Sequence, residues 1–385
     1  MKVTEFIKKY TMTLALVVVF IFFTVLTGGR LVLAQNISNL LLQNAYVLVM
    51  ACGMLLCILT GGNVDLSVGS TVCLSGAIAA QTLAKGGNPV VAILGSIAVA
   101  AIIGVWQGYL VGYVHIPPFI CTLAGMFLWR GLGRVVLDSK TVSIQNKGFL
   151  SLFTSYIQIP GVDANKHCVS ALVIGIAVAV IIAVLMFSSR ARQVKRGYDV
   201  EAFPIMIAKL VVIDALIIWY SSKLMGYKGV PVMLLWILVV VLIVAFVTSS
   251  TVVGRYFYAV GGNEKATKLS GIDPRKVYFR AYFIMSFLAG FSGLLMAARI
   301  GSVDGAMGQS YEMDAIASCF IGGASAYGGS GTVPGVMIGA ILLGVINQGM
   351  SIYGLPDQWQ YVVKGAVLLA AVIFDVVSNH KTGKS

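Results

Sequence analysis

"PVMLLWILVVVLIVAFVTS", residues 231–249, is followed ten residues later by "AVGGNEKATKLSGIDPRKVYFR", residues 259–280. The first string holds no charged residue. As a helix its length comes to about 28 Å, the thickness of a bilayer hydrocarbon core. The second string carries Lys265, Lys268, Arg275, Lys276 and Arg280. Lysine and arginine gather in cytoplasmic loops, so the pair predicts a transmembrane helix that leads into the cytoplasm.

The whole chain follows suit. It has 385 residues, 58% hydrophobic and only 11% charged, against roughly a quarter charged in soluble domains. Its mean hydropathy is +0.93. Apolar segments fall near 11–33, 38–60, 67–84, 89–113, 117–136, 169–188, 204–223, 231–249, 277–298, 331–350 and 358–377, with a twelfth, mixed segment at 311–328. Backbone inside lipid must bond to itself, and runs this long without strict alternation are helices rather than barrel strands. The expected fold is therefore an all-α polytopic membrane protein. It forms one transmembrane domain over residues 1–385, with ten to twelve crossings and broken or re-entrant segments where glycines interrupt them.

Charge sets the orientation. Fifteen of the 27 basic residues sit in four clusters: Lys2, Lys8 and Lys9; Arg190, Arg192, Lys195 and Arg196; Arg255 to Arg280; and Lys381 with Lys384. With both termini in the cytoplasm, 189–203 and 250–276 become cytoplasmic loops and 137–168 an extracytoplasmic one. This asymmetry accounts for most of the net charge of +13 and removes the need for a nucleic-acid partner. The N-terminal stretch has the layout of a secretory signal, but its apolar run is long for one, and it reads as a retained first helix.

Several chemistries are excluded. The six cysteines form no CxxC pair, and His167 beside Cys168 falls short of the four ligands of a structural zinc. No metal site and no catalytic constellation is expected. The glycines at 261–262 lack the spacing of a phosphate loop, and a membrane helix rather than a strand precedes them. The terminal "TGKS", 382–385, has Ser378 where such a loop needs glycine. The chain carries no ATPase site of its own.

Residues 263–271 instead carry the end signals of a short helix. Asn263 is a good N-cap. Glu264 sits in the first turn and lies four before Lys268, the favourable order. Gly271 suits the left-handed residue that closes a helix, and Pro274 follows. Spacing alone fits two readings equally, a helix that docks on something and a solvated basic loop.

Three strings resemble a known family. "AVGGNEKATKLSGI" (259–272), "LTGGNVDLSVGS" (59–70) and "YEMDAIASCFIGGASAYGGSGTVPGVMIGA" (311–340) are similar to motifs of bacterial ABC sugar-import permeases of the ribose, xylose and galactose type. The likeness spans about 40–377. The added stretch 188–232 looks like the longer xylose-type and multiple-monosaccharide members. The resemblance implies a permease of the bacterial inner membrane, working as a homodimer with a cytoplasmic ATPase and a periplasmic or lipid-tethered sugar-binding protein. ATP and magnesium would belong to the ATPase. It maps Gly262, Asn263, Glu264, Ala266, Ser270 and Gly271 to ATPase coupling.

A path for neutral sugar needs hydroxyl and amide partners, and Gln43, Asn44, Asp65, Ser67, Ser70, Gln107, Asn347 and Gln348 supply them, with Phe119 and Trp359 offering apolar faces. Each polar residue has a plainer reading as a hydrogen bond between helices, and Asp65 reads first as a cap for the helix beginning near Ser67. Glu312 and Asp314 fall at the outer mouth by topology, where they would meet the binding protein or stabilise a helix N-terminus. "GGNVDLSVGST" (61–71) and "GGASAYGGSGT" (322–332) form a weak internal repeat. The rival function is an ion-coupled secondary sugar transporter using Asp65 and Asp214 as coupling acids.

Overall fold

The computed structural model describes residues 3–159, 163, 168–198, 200 and 202–381. The expectations for Lys2, His167 and Lys384 lie outside these residues. In chain order the helices are α1 (Val3–Leu26), α2 (Ala34–Gln43), α3 (Ala45–Leu59), α4 (Val68–Ala84), α5 (Pro89–Gly112), α6 (Pro118–Val136), α7 (Lys147–Thr154) and α8 (Val169–Lys195). They continue as α9 (Phe203–Met225), α10 (Val232–Ser250), α11 (Val252–Gly262), α12 (Glu264–Leu269), α13 (Pro274–Ile300), α14 (Tyr311–Ile321), α15 (Val333–Tyr353) and α16 (Asp357–Lys381). The only strands among the described residues are two-residue pairs. β1 (Val142–Ser143) joins β4 (Ser302–Val303), and β2 (Tyr156–Ile157) joins β3 (Val230–Pro231), both antiparallel. The fold is all-α and polytopic, as expected.

Among the described residues, eight helices are long and apolar enough to cross a membrane. Thr11–Leu26 and Val68–Ala84 are shorter apolar helices. Three predicted loops are more structured than the sequence indicates. α8 carries the first part of the basic 189–203 loop as helix to Lys195. The 250–276 loop is two short helices, α11 and α12. The 137–168 loop holds α7, whose N-cap Asn146 accepts the Phe149 N–H at 3.0 Å. It is also pinned through β1 and β2 to the ends of α13 and α10.

α3 is the centre of the domain. Every residue from Ala45 to Leu59 is buried, the signature of a helix that is apolar all round. α13 runs beside it and also packs along α5 and α4. The contact with α5 is made by glycines four apart. A Cβ on Gly104 would stand 2.9 Å from Phe283 Cα, one on Gly108 2.8 Å from Phe279 O, and one on Gly112 2.6 Å from Arg275 O. Lipid tails offer no hydrophobic drive between helices, so close backbone approach through small residues is what binds them. α8 and α9 instead pair with each other at the edge, with most of their surface exposed.

The 311–328 segment is neither a full span nor a simple dip. α14 has 11 residues, about 16 Å of helix. The chain ahead of it descends beside α6: Arg130 Nη1 donates to Gly305 O at 3.4 Å and to Met307 O. α4 begins in the same layer. A Cβ on Gly125, about 10 Å along α6, would stand 3.2 Å from Ser67 Cβ. A Cβ on Gly69 would stand 2.1 Å from Gly308 O, so the two breaks cross at contact distance.

These breaks are the true internal repeat. "GNVDLSVGS" (62–70) matches "GSVDGAMGQ" (301–309) at Gly62/Gly301, Val64/Val303, Asp65/Asp304 and Gly69/Gly308. Gly62 and Gly301 both have φ +74°. Asp65 Oδ1 accepts the Ser67 N–H at 2.8 Å, and Asp304 Oδ1 accepts the Ala306 N–H at 3.0 Å. One break follows α3 and the other follows α13, in opposite directions, the inverted arrangement common in transporters. In the expected echo of 61–71 in 322–332, the aligned Gly62 and Gly323 likewise both have positive φ, +74° and +84°. The second string turns from α14 into α15 and lies against the first, with Gly328 packed on Gly61.

Gly108→Val is expected to destabilise the domain by roughly 1–3 kcal/mol, because backbone rather than a flexible side chain occupies the space. Thermal unfolding in detergent measures this. Gly131→Ala, where nothing lies within 4 Å, is the control and should match or exceed the parent.

Candidate functional site

Two regions gather the candidate residues, a knob formed by α11 and α12 and the crossing of the two breaks. At the knob, Asn263 caps α12 as predicted: its Oδ1 accepts the Ala266 N–H at 2.9 Å. Ser270 ends the helix, and Gly271 follows at φ +84°, the left-handed residue the sequence called for. α12 has six residues, about 9 Å and less than two turns. Glu264 does not pair with Lys268. Its Oε2 accepts the Tyr278 hydroxyl at 2.8 Å, which ties α12 to the base of α13.

Beside α12 lies a cleft of about 420 Å³ lined by Glu264, Lys268, Gly271, Asp273, Arg275 and Tyr278, together with His115. His115 stands in the α5–α6 turn at φ 64°, which delivers it across from α12. Asp273 caps α13, and the bonded Arg275 side chain at 3.0 Å holds its carboxyl below the usual carboxylate range. The cleft is thus lined with alternating charge and is open to a partner.

The knob is joined to the interior through backbone. A Cβ on Gly261 would collide with Leu59 O, so the end of α11 sits directly on the end of α3. Gly329 N–H donates to the same Leu59 O at 3.0 Å, and the Tyr258 hydroxyl donates to Gly331 O at 2.9 Å. The turn 322–332 after α14 is therefore fastened to α3 and α11 together.

At the crossing, three of the path candidates, Asp65, Ser67 and Gln107, come together in a closed network. Asp65 Oδ1 accepts from the Ser67 hydroxyl at 2.7 Å, Gln107 Nε2 donates to Ser67 Oγ, and the Ser286 hydroxyl donates to Gln107 Oε1 at 3.0 Å. All four residues are buried. Among the described residues, Asp65 Oδ2 and Ser70 Oγ have no hydrogen-bond partner. In this conformation the network braces α4 against α5 and α13 rather than lining an open path.

The other path candidates are dispersed. Asn44 donates to Leu40 O at 2.6 Å in the kink between α2 and α3 and fills the space beside Gly344. Gln348 donates to Asn36 O at 2.6 Å, and Asn347 Oδ1 is buried without a partner. Gln43 is half-buried. Phe119 and Trp359 are 58% and 59% exposed, on α6 and α16, and join neither cluster.

Glu312 and Asp314 require correction. Both are buried, because α14 starts inside the domain and not at its outer surface. Contact with an external binding protein is closed to them here. Glu312 packs on Gly69. Asp314 Oδ2 accepts the Tyr46 hydroxyl at 2.6 Å and the Lys364 ammonium at 3.1 Å. Tyr46, Lys364, Ser286, Arg130 and His115 were not singled out from the sequence. Lys364 is visible there as the lone base within the last apolar segment.

Residues 36–372 match the family model described as "Branched-chain amino acid transport system / permease component". The chain belongs to this permease family. It is 36% identical to the xylose transport system permease protein XylH of Haemophilus influenzae, over 97% of this chain and 98% of the relative. It is 31% identical to the protein of the same name from Escherichia coli K12, over 98% and 93%. The ribose import permease protein RbsC of that strain is 32% identical over 89% and 85%. No solved structure matches the chain significantly. The chain is therefore a membrane transport subunit and not an enzyme, and family membership accounts for the multi-pass fold.

Gln107→Leu leaves Ser67 Oγ and Ser286 Oγ without their shared partner inside the domain. Orphaned buried groups cost about 1–3 kcal/mol, and a thermal unfolding midpoint lowered accordingly is the expected reading.

Proposed function

We propose that the chain is the permease subunit of an ATP-binding-cassette importer that carries monosaccharides, pentoses of the xylose type foremost. The observation that carries this is the capped α12 knob, fastened through Gly261, Leu59 and Gly329 to the half-helix α14. A rigid helix transmits a push, whereas a flexible loop absorbs it. The alignments to two xylose permeases, which run through the α8–α9 hairpin, favour the longer xylose-type members.

In this reading α12 seats in a separate cytoplasmic ATPase, which binds ATP and magnesium; this chain holds no cofactor. Counting α1, the two broken segments and α16 with the eight long apolar helices, the chain passes the bilayer twelve times, so both termini lie in the cytoplasm of a bacterial cell, with the domain in its inner membrane. A second copy completes the path as a homodimer, and a periplasmic or lipid-tethered binding protein delivers the sugar to the outer face. ATP hydrolysis moves α12, and α11 with the 322–332 turn passes the movement to α14.

Proteoliposomes holding the assembly test this. Uptake of labelled D-xylose should require ATP, the ATPase and the binding protein. Uptake driven by a proton or sodium gradient in their absence would establish the ion-coupled alternative instead. Gly271→Val is expected to reach the membrane yet lose ATPase co-purification, because a β-branched residue resists the positive φ that ends α12. Normal assembly and uptake by that variant would sink the coupling role.

A further inference from the structure

The cleft of about 420 Å³ beside α12 has two walls, and one of them is not part of the knob. It is the turn between α5 and α6, which brings His115 to the cleft. His115 has φ 64°. A glycine takes that angle without cost, whereas a residue with a side chain stores strain there, and such strain gathers at functional positions. The turn is also a fixed wall. The Ile116 N–H donates to Leu110 O at 3.0 Å, and Pro117 and Pro118 stiffen the exit. The Tyr113 ring lies edge-on to Phe279 with centroids 6.1 Å apart, and the Arg275 guanidinium stands 5.9 Å from the same ring. The turn is thereby packed on the base of α13.

The charges of the cleft are unevenly engaged. Both acids are occupied, Glu264 by the Tyr278 hydroxyl and Asp273 by Arg275. His115 and Lys268 are exposed, and neither makes a side-chain hydrogen bond among the described residues. Each offers an N–H donor, one from either wall. Apolar surface borders both donors. Leu269, next to Lys268, is 89% exposed, on a helix that also carries Glu264 and Lys265 and so lies in water rather than lipid. Tyr113 and Val114 are exposed beside His115. Free donors rimmed by apolar side chains match a protein partner that brings an acid and an apolar neighbour.

We propose that the α5–α6 turn is a second docking element for the ATPase. A segment of the ATPase enters the cleft, its carboxylate accepts from His115 and Lys268, and an adjoining apolar side chain covers Leu269. The proposal rests on the import reading and goes beyond it, because that reading seats α12 alone. A helix of six residues held by itself can roll on its partner. A second wall anchored to α13 stops the roll, so that ATPase movement shifts α12 in one direction.

Binding of the purified cognate ATPase to the intact permease in nanodiscs, measured by interferometry beside thermal unfolding, tests this. His115→Gly relieves the backbone, so its unfolding midpoint should rise while ATPase affinity falls roughly tenfold, the scale of one charge-assisted hydrogen bond. A merely structural histidine would not move the two in opposite directions. Asparagine and aspartate both tolerate the angle. His115→Asn keeps an N–H donor and should retain most of the affinity, whereas His115→Asp sets acid against acid and should abolish binding. Ser139→Gly, at φ 54° in the 137–168 loop, is the control and should leave affinity unchanged. Equal affinity in the parent, His115→Gly and His115→Asp overturns the second docking element alone. No binding by the parent overturns the import reading and this proposal with it. Equal ATPase affinity in all variants, with His115→Asp altering only retention of anionic lipid, would assign the cleft to headgroups and overturn the proposal as well.

Discussion

A backbone inside hydrocarbon has no water to bond to, yet this chain leaves helix twice within its membrane domain. Residues 60–67 and 301–310 are non-helical stretches that lipid cannot contact without several kcal/mol per exposed polar group. The protein itself must enclose them. α3 and α13 form the wall, and α13 reaches α5 closely enough only because Gly104, Gly108 and Gly112 have no side chains. Within the enclosure Asp65 and Asp304 take the loose N–H groups, and Arg130 takes carbonyls of Gly305 and Met307. The breaks, the repeat and the half-helices all follow from this sealed centre.

The sealed centre also gives the domain a mechanical axis. α14 is a buried half-helix, packed on α15, α3 and α16, with a glycine turn at one end and an irregular descent at the other. Its glycine turn is bonded to the ends of α3 and α11, and α11 leads directly to α12. α12 is fixed to α13 through Glu264 and Tyr278. A displacement applied at α12 thus meets two anchors, one on the rigid hub and one on the half-helix. A divided attachment of this kind would let α14 shift while the hub stays. Asp314 and Lys364 bridge α14 to α16 on the far side, where that shift would be felt.

The fold was largely legible in the sequence because apolar runs of membrane length report directly on solvent. The run at 231–249 became Val232–Ser250, and 89–113 became Pro89–Gly112. Asn263 and Gly271 were legible for a local reason: capping depends on a few consecutive residues. The candidate path was read less well. Asp65, Ser67 and Gln107 proved to be neighbours, but Phe119, Asn347 and Trp359 did not join them. Glu312 and Asp314 were assigned to the surface because a topology count treats 311–328 as starting at an interface. The repeat of 62–70 in 301–309 was passed over for a glycine-rich echo, since composition cannot show that Gly62 and Gly301 share a backbone angle.

By itself, the sequence determined that this chain lives in a bilayer and where α12 begins and ends. Each of these is set by the contact of a residue with solvent or with its near neighbours. Only the tertiary structure decided that two helices stop half-way and cross at Gly69 and Gly308, and that Tyr46, Asp314 and Lys364 meet inside the domain. Tyr46 and Asp314 are separated by 268 positions, and no local preference links them. They meet because the half-helix α14 packs between α3 and α16.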